Sequence, residues 1–312
     1  MCLYPKLIKN KRYCSTKKNG GVIPKCPDER LKYVTAACGK CLECREQKSR
    51  QWRIRMIEEI RENTNAIFVT LTINDESYEK LSKKYNLKEE NEIATKALRL
   101  WLERVRKFTK KSLKHWFITE LGHENTKRLH LHGIIWGEKA KESCQNWWGY
   151  GYVFIGTWVN EQTINYIIKY MLKEDKDNKH FYGKVLCSSG LGSSYTNRID
   201  AENNKYKGEN TNETYRLRNG TKINLPIYYR NKIYTDEERE KLFLNKIIKG
   251  KVWIRGEEID IKDVEGYNKL LEYHRNFSRL IYGDNEQEWD KEKYLRRLKK
   301  QRTATIREKR ST

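Results

Sequence analysis

The chain has 312 residues, with 65 Lys+Arg against 42 Asp+Glu and a formal net charge of +23. Such an excess points to a polyanionic partner, with phosphate contacts and counterion release supplying much of the affinity; the length suits one large domain or two modest ones. No apolar run approaches the ~20 residues of a membrane span, and the start lacks the apolar stretch of a signal peptide, so the expectation is a reducing cytoplasm and no membrane partner.

Residues 1–50 are basic and cysteine-rich, holding Cys2, Cys14, Cys26, Cys38, Cys41 and Cys44. Cys38-Gly-Lys-Cys41-Leu-Glu-Cys44 contains two overlapping C-x-x-C spacings. In a reducing compartment this spacing indicates zinc or redox chemistry before disulfides. A fourth zinc ligand would be Cys26 or Cys14, and reduced structural thiols without metal are the alternative. Any zinc here would be structural.

Residues 47–62 read as an amphipathic helix with Trp52, Met56, Ile57 and Ile60 inward. Residues 67–73, Ile-Phe-Val-Thr-Leu-Thr-Ile, form the strongest strand pattern of the chain. A polar loop follows, then a helix over 92–110 with Ala94, Ala97, Leu98, Trp101, Val105 and Phe108 inward. Residues 116–121 read as a strand ending in Glu120 before a turn at Gly122. Residues 129–136 read as the next strand, so the two form a hairpin.

The motif Arg-Leu-His-Leu-His-Gly (128–133) begins that second strand. Residues i and i+2 of a strand share a face, so His130 and His132 project together and Leu129 and Leu131 face the core. Paired imidazoles suit a divalent metal. The hairpin brings Glu120 beside them as a carboxylate ligand, leaving positions open for water and a phosphate oxygen.

Residues 152–158 read as another strand, leading into a helix capped by Asn160. The helix holds Tyr-Ile-Ile-Lys-Tyr-Met-Leu-Lys (166–173). Ile164, Ile167, Ile168, Met171 and Leu172 cluster on one side. Tyr166, Lys169, Tyr170 and Lys173 fall on the other, and tyrosines at i and i+4 are surface neighbours. A phenol with a free pKa of about 10 needs a polarised phosphate or nearby cations to act as a nucleophile, and Lys169 and Lys173 supply cations. Alone, an H-x-H pair also describes a structural pair, and the tyrosine spacing also describes helix packing. Their joint order in a basic chain favours a metal-dependent enzyme that cuts single-stranded DNA through a tyrosine. The alternatives are a non-enzymatic zinc-containing nucleic-acid-binding protein and a hydrolase that uses water.

Residues 174–179 read as a charged loop. Cys-Ser-Ser-Gly-Leu-Gly-Ser-Ser-Tyr (187–195) is glycine-rich but lacks the Gly-Lys-Ser/Thr of an ATPase phosphate loop. It reads either as a contact to DNA phosphate through Ser193 and Ser194 or as a flexible turn. Residues 200–215 read as polar and mobile, and 225–230 as a short return to the core. From Tyr234 onward the pattern is helical. The basic end, 291–310, reads as a DNA-binding arm or a solvated helix. Aromatics, 12% of the chain with 9 Trp and 20 Tyr, suit base stacking on unpaired strands, though Trp52, Trp101 and Trp116 lie on apolar faces and read as core. The expected fold class is α+β, an antiparallel sheet with packed helices, a Cys-rich N-terminal segment (1–50), a nuclease domain (51–200) and a mostly helical, basic C-terminal extension (201–312).

His130-Leu-His132 followed by the two-tyrosine helix resembles the HUH endonuclease superfamily, in its two-tyrosine class. Further segments resemble replication initiation proteins of microviruses, the small circular single-stranded DNA phages, in the gokushovirus-like branch. These are the opening Met-Cys-Leu-Tyr-Pro, the block 38–45 with Trp52 after it, Phe-Val-Thr-Leu-Thr (68–72), Thr-Glu-Leu-Gly (119–122) and Gly-Leu-Gly-Ser-Ser-Tyr (190–195). The resemblance covers residues 1 to about 235; the C-terminal third carries none of it.

The resemblance implies a rolling-circle replication initiator acting in a host bacterial cytoplasm. His130, His132 and Glu120 would hold Mg²⁺ or Mn²⁺, with His123 or Glu124 as alternatives to Glu120. Tyr166 and Tyr170 would be the nucleophiles, assisted by Lys169 and Lys173, and Arg128, Ser193 and Ser194 would contact DNA. One tyrosine would cut origin DNA, leaving a 5′-phosphotyrosine and a priming 3′-hydroxyl; the second would act when a new origin is made, so that a single-stranded circle is closed. Unwinding would come from a host helicase and the host replication machinery. A relaxase- or transposase-type HUH nuclease shares this chemistry on another substrate.

Overall fold

The computed structural model describes residues 1–122, 127–156, 158–172 and 181–282. His123, Glu124, Lys173, the loop 174–179 and the basic end 291–310 lie outside the described residues. The chain divides into two compact units, residues 1–44 with 246–312, and residues 45–245. Strand β1 (Lys6–Lys9) pairs antiparallel with β2 (Tyr33–Ala36), and helix α1 (Leu42–Glu62) follows.

The larger unit is α+β. Its elements begin with β3 (Ala66–Ile73), α2 (Asp75–Tyr85), α3 (Glu90–Thr109), β4 (Lys114–Leu121) and β5 (Leu129–Trp136). They continue with α4 (Ala140–Trp147), β6 (Val153–Gly156), α5 (Glu161–Ile168) and β7 (Val185–Cys187). A five-stranded sheet runs in the order β6-β3-β5-β4-β7, antiparallel at every pairing.

Helices cover both faces of this sheet. On one face Val69, Leu71, Ile73, Leu131 and Ile135 pack against Ile93, Ala97 and Trp101 of α3 and against Trp148. On the other, Trp116, Ile118, Ile134 and Trp136 pack against Met56 and Ile57 of α1 and against Ile164, Ile167 and Ile168 of α5. The alternation along β5 therefore separates two apolar cores, and β5 is buried along nearly its whole length. Gly133 is required by this packing: a Cβ there would lie 2.2 Å from the Phe117 ring and 2.5 Å from the Trp116 carbonyl oxygen.

The described residues after Met171 hold more structure than their composition suggests. Elements α6 (Ile199–Glu202), β8 (Thr214–Arg216), β9 (Lys222–Asn224), α7 (Ile227–Ile233) and α8 (Asp236–Lys249) follow. Tyr195, Ala201, Tyr215, Leu225, Tyr229, Tyr234 and Leu242 form a third core with Ile54. The stretch read as polar and mobile over 200–215 is thus part of a folded layer. Its buried Asn204 accepts from the Tyr195 hydroxyl at 2.7 Å and donates to the carbonyls of Asn212 and Thr214. Polar groups that are hydrogen-bonded bury at little cost, and composition alone hides them.

Buried carboxylates on α1 tie this layer down. Glu58 accepts from Arg61 at 2.7 Å, Arg198 at 2.8 Å and the Tyr215 hydroxyl. Glu59 accepts from Lys114 at 2.7 Å and from the Gly192 amide at 2.8 Å. The Gly-Leu-Gly segment is therefore a tight turn docked on α1. Gly192 has φ 66°, and a Cβ there would fall 2.3 Å from the Arg55 carbonyl oxygen.

In the smaller unit the helical expectation after Tyr234 is interrupted. A hairpin of β10 (Lys251–Ile254) and β11 (Glu257–Asp260) turns at Arg255 and Gly256, both with positive φ, before α9 (Val264–Tyr282). Cys2, Leu3, Cys41, Cys44, Ile254 and Leu271 form its core. No helix among the described residues is long and apolar enough to cross a membrane.

Candidate active site

Strand register assembles the site. Glu120 on β4 lies opposite His130 on β5, and β3 sets Thr72 opposite His130 and Thr70 opposite His132. Residues directly opposite in an antiparallel pair share a face. Glu120, His130, His132, Thr70 and Thr72 therefore converge on the face that carries α1 and α5. His132 Nε2 lies 2.6 Å from Glu120 Oε2. The other ring nitrogens face threonine hydroxyls: His132 Nδ1 is 2.9 Å from Thr70 Oγ1, and His130 Nδ1 is 3.0 Å from Thr72 Oγ1. A hydrogen bond from a threonine hydroxyl to Nδ1 fixes the orientation of each imidazole ring. Thr70 and Thr72 are the positions the motif reading missed; their alternation in Phe-Val-Thr-Leu-Thr is the signal that places them.

The 2.6 Å between His132 Nε2 and Glu120 Oε2 is a hydrogen-bond distance.

Helix α5 delivers the tyrosines. Asn160 caps it, its side chain accepting from the Thr163 amide at 2.9 Å. The α-helix ends at Ile168 and tightens into a 3₁₀ turn at Lys169–Met171. That corrects the expectation that both tyrosines face outward. Tyr166 is 44% exposed, whereas Tyr170 is 9% exposed and packs in the α5 core. The two phenol oxygens are 2.7 Å apart. The Tyr170 ring stacks on His132 with centroids 4.4 Å apart. Burial pushes the Tyr170 phenol up from its ordinary value, aided by the hydrogen bond to Tyr166 and the charge of Glu120. Lys169 Nζ sits 4.1 Å from the Tyr166 ring centroid. Two phenols, two imidazoles, a carboxylate and an ammonium thus meet on one sheet face.

The expected DNA contacts lie in two places. Arg128, just before β5, forms an ion pair with Asp75 at 3.1 Å. Ser193 and Ser194 begin the 3₁₀ turn after Gly192 and are half-buried.

The cysteine cluster lies in the smaller unit. Sulfurs of Cys2, Cys38, Cys41 and Cys44 all fall within 4.8 Å of one another. Cys2 takes the place expected for Cys26 or Cys14. Cys26 Sγ instead faces the Asp28 carbonyl at 3.0 Å, and Cys14 Sγ the Asn10 carbonyl at 3.3 Å. Four sulfurs around one zinc at ~2.3 Å sit ~3.8 Å apart; Cys2–Cys41 and Cys38–Cys44 are each 3.9 Å apart. Amides of Tyr4 and Cys38 point at Cys2 Sγ and that of Cys41 at Cys38 Sγ, each at 3.3 Å, an arrangement that stabilises thiolates. The cluster can hold a structural metal such as zinc.

No curated protein and no solved structure matches the chain. Residues 66–175, about a third of the chain, match the family model of the ORF2-type replication-associated protein. The matched stretch begins with β3 and includes Glu120, His130, His132, Tyr166 and Tyr170, so the segment that builds the site is the segment similar to that family, and the match supports initiation of replication of small single-stranded DNA replicons.

Proposed function

We propose that the chain is a rolling-circle replication initiator that nicks single-stranded origin DNA through a tyrosine and rejoins it. The observation that carries this reading is the approach of the Tyr166 and Tyr170 oxygens to 2.7 Å, with Tyr170 stacked on His132 beside Glu120. His130, His132 and Glu120 would hold Mg²⁺ or Mn²⁺, which when bound polarises the scissile phosphate. Thr70 and Thr72 orient the imidazoles. Tyr166 is the exposed phenol and Tyr170 the buried one, so the Tyr166 oxygen attacks first. A bond forms from that oxygen to phosphorus, the bond from phosphorus to the 3′-oxygen breaks, and the phenolic proton ends on the departing 3′-hydroxyl. Lys169 places a positive charge where negative charge gathers on the phosphate. In the second transfer Tyr170 bonds to phosphorus at the regenerated origin and releases its 3′-hydroxyl; that hydroxyl attacks the Tyr166 phosphotyrosine, closing a circle and freeing the Tyr166 phenol.

The substrate reading draws on the +23 charge and the similarity of residues 66–175 to replication-associated proteins. Arg128, Ser193 and Ser194 would contact the strand, Arg128 exchanging Asp75 for a phosphate. The microvirus resemblance adds a bacterial host cytoplasm, a borrowed host helicase and a nuclease domain over 51–200. The test is incubation with labelled single-stranded DNA spanning the origin of the encoding replicon, with Mn²⁺, on denaturing gels. A metal-dependent covalent adduct, absent from the Tyr166→Phe/Tyr170→Phe double variant, is expected. Cleavage without adduct would mean water is the nucleophile and would end this reading.

A further inference from the structure

A run of ring contacts leads from the tyrosines to the free edge of the sheet. Phe68 on β3 meets Tyr166 with centroids 6.2 Å apart, and meets Phe154 on β6 at the same distance. Beyond Phe68 the rings turn to solvent: Phe154 is 47% exposed, Tyr152 70% and Trp158 83%. Phe154 lies opposite Thr70, which lies opposite His132, so Phe154 rises from the histidine face; Tyr152, two residues earlier, shares that face. Trp158 follows β6, and its carbonyl accepts from Thr163 Oγ1 on the helix that carries Tyr166. A cleft of about 490 Å³ runs along the β6 edge, lined by residues 152–156, Ile67 and, from the opposite face of the sheet, Lys141 and Gln145 of α4.

Large exposed aromatic surface beside a catalytic centre marks an interaction site. The occupant follows from chemistry. Every unpaired base offers a π-face that stacks on aromatic side chains, and cations track its backbone. Bases in a duplex have already stacked on each other. The net charge of +23 complements phosphate. We infer that Tyr152, Phe154 and Trp158 form a stacking platform for the unpaired bases flanking the scissile phosphate, the strand running from the β6 edge over Phe68 to Tyr166. The scissile phosphate in this statement rests on the proposed nuclease; the stacking surface does not.

The test uses the full chain and a fluorescent oligothymidylate, with a blunt duplex as comparison. Tyr152→Ala, Phe154→Ala and Trp158→Ala are each expected to weaken single-strand binding about 5- to 150-fold. The slope of affinity against salt should not change, because no phosphate contact is lost. Tyr152→Phe, Phe154→Tyr and Trp158→Tyr keep a ring and should bind as wild type. Alanine variants that bind oligothymidylate as tightly as wild type, or that lose duplex and single strand equally, overturn the platform. The covalent-adduct assay on the wild-type chain judges the nuclease separately. Ring-dependent binding without any adduct would keep the platform and sink the nuclease.

Discussion

The ring of Tyr170 lies parallel to the imidazole of His132, with centroids 4.4 Å apart and planes within 6°. One side chain therefore serves as a wall of the histidine–carboxylate cluster and as a phenol beside Tyr166. Tyr170→Phe keeps the wall and removes the hydroxyl, and is expected to cost about 1 kcal/mol of stability. Tyr170→Ala removes the wall and is expected to cost about 3–5 kcal/mol. Urea unfolding of the two variants measures the difference; equal losses would mean the ring does not pack as described.

Thr70 and Thr72 reach the imidazoles from β3. Thr70→Val and Thr72→Val preserve shape and delete the hydroxyl. Each is expected to weaken Mn²⁺ binding about 10- to 100-fold, with Ser at either position restoring it. Calorimetric titration checks this, and unchanged affinity would show that the threonines play no part in orienting the ligands.

In the smaller unit, Cys2→Ser is expected to abolish zinc retention, and Cys26→Ser to leave it intact, because Cys2 and not Cys26 completes the four-sulfur cluster. Metal content after dialysis, measured by mass spectrometry, decides between them. The reverse pattern would refute the assignment of Cys2.

The third core makes the fold sensitive to alkali. Burial pushes the Tyr195 and Tyr234 phenols up to about 12, against about 10 in an unfolded chain. A raised phenol stabilises the fold fully below the unfolded value, and that stability is lost as pH rises from 10 through 12. The urea midpoint should fall between pH 9 and 12, and Tyr195→Phe should flatten the fall. An unchanged slope would exclude Tyr195 as a contributor.

The convergence of Glu120, His130 and His132 on one sheet face was legible in the sequence because the decisive relations are local. His130 and His132 are two apart on a strand, and a short connection returns Glu120 to His130. What escaped prediction depends on distant or subtle geometry. Cys2 joins a cluster whose next member is Cys38, and no spacing rule links them. A helical wheel at 100° per residue turns Tyr170 outward, whereas the chain tightens to 3₁₀ at Lys169, where the step is about 120°. Residues 200–215 looked mobile because their buried groups are polar and satisfied by one another. The hairpin over 251–260 was hidden by its charge, and its turn depends on Arg255 and Gly256 taking positive φ.

The covalent adduct remains the most direct test. Origin DNA with Mn²⁺ is expected to yield a denaturation-resistant protein–DNA band with wild-type chain. Tyr166→Phe should lose most of the first nick, Tyr170→Phe should nick without completing the second transfer, and the double variant should form no adduct. An adduct that persists in the double variant, or cleavage of that strand with no adduct at all, would contradict the account.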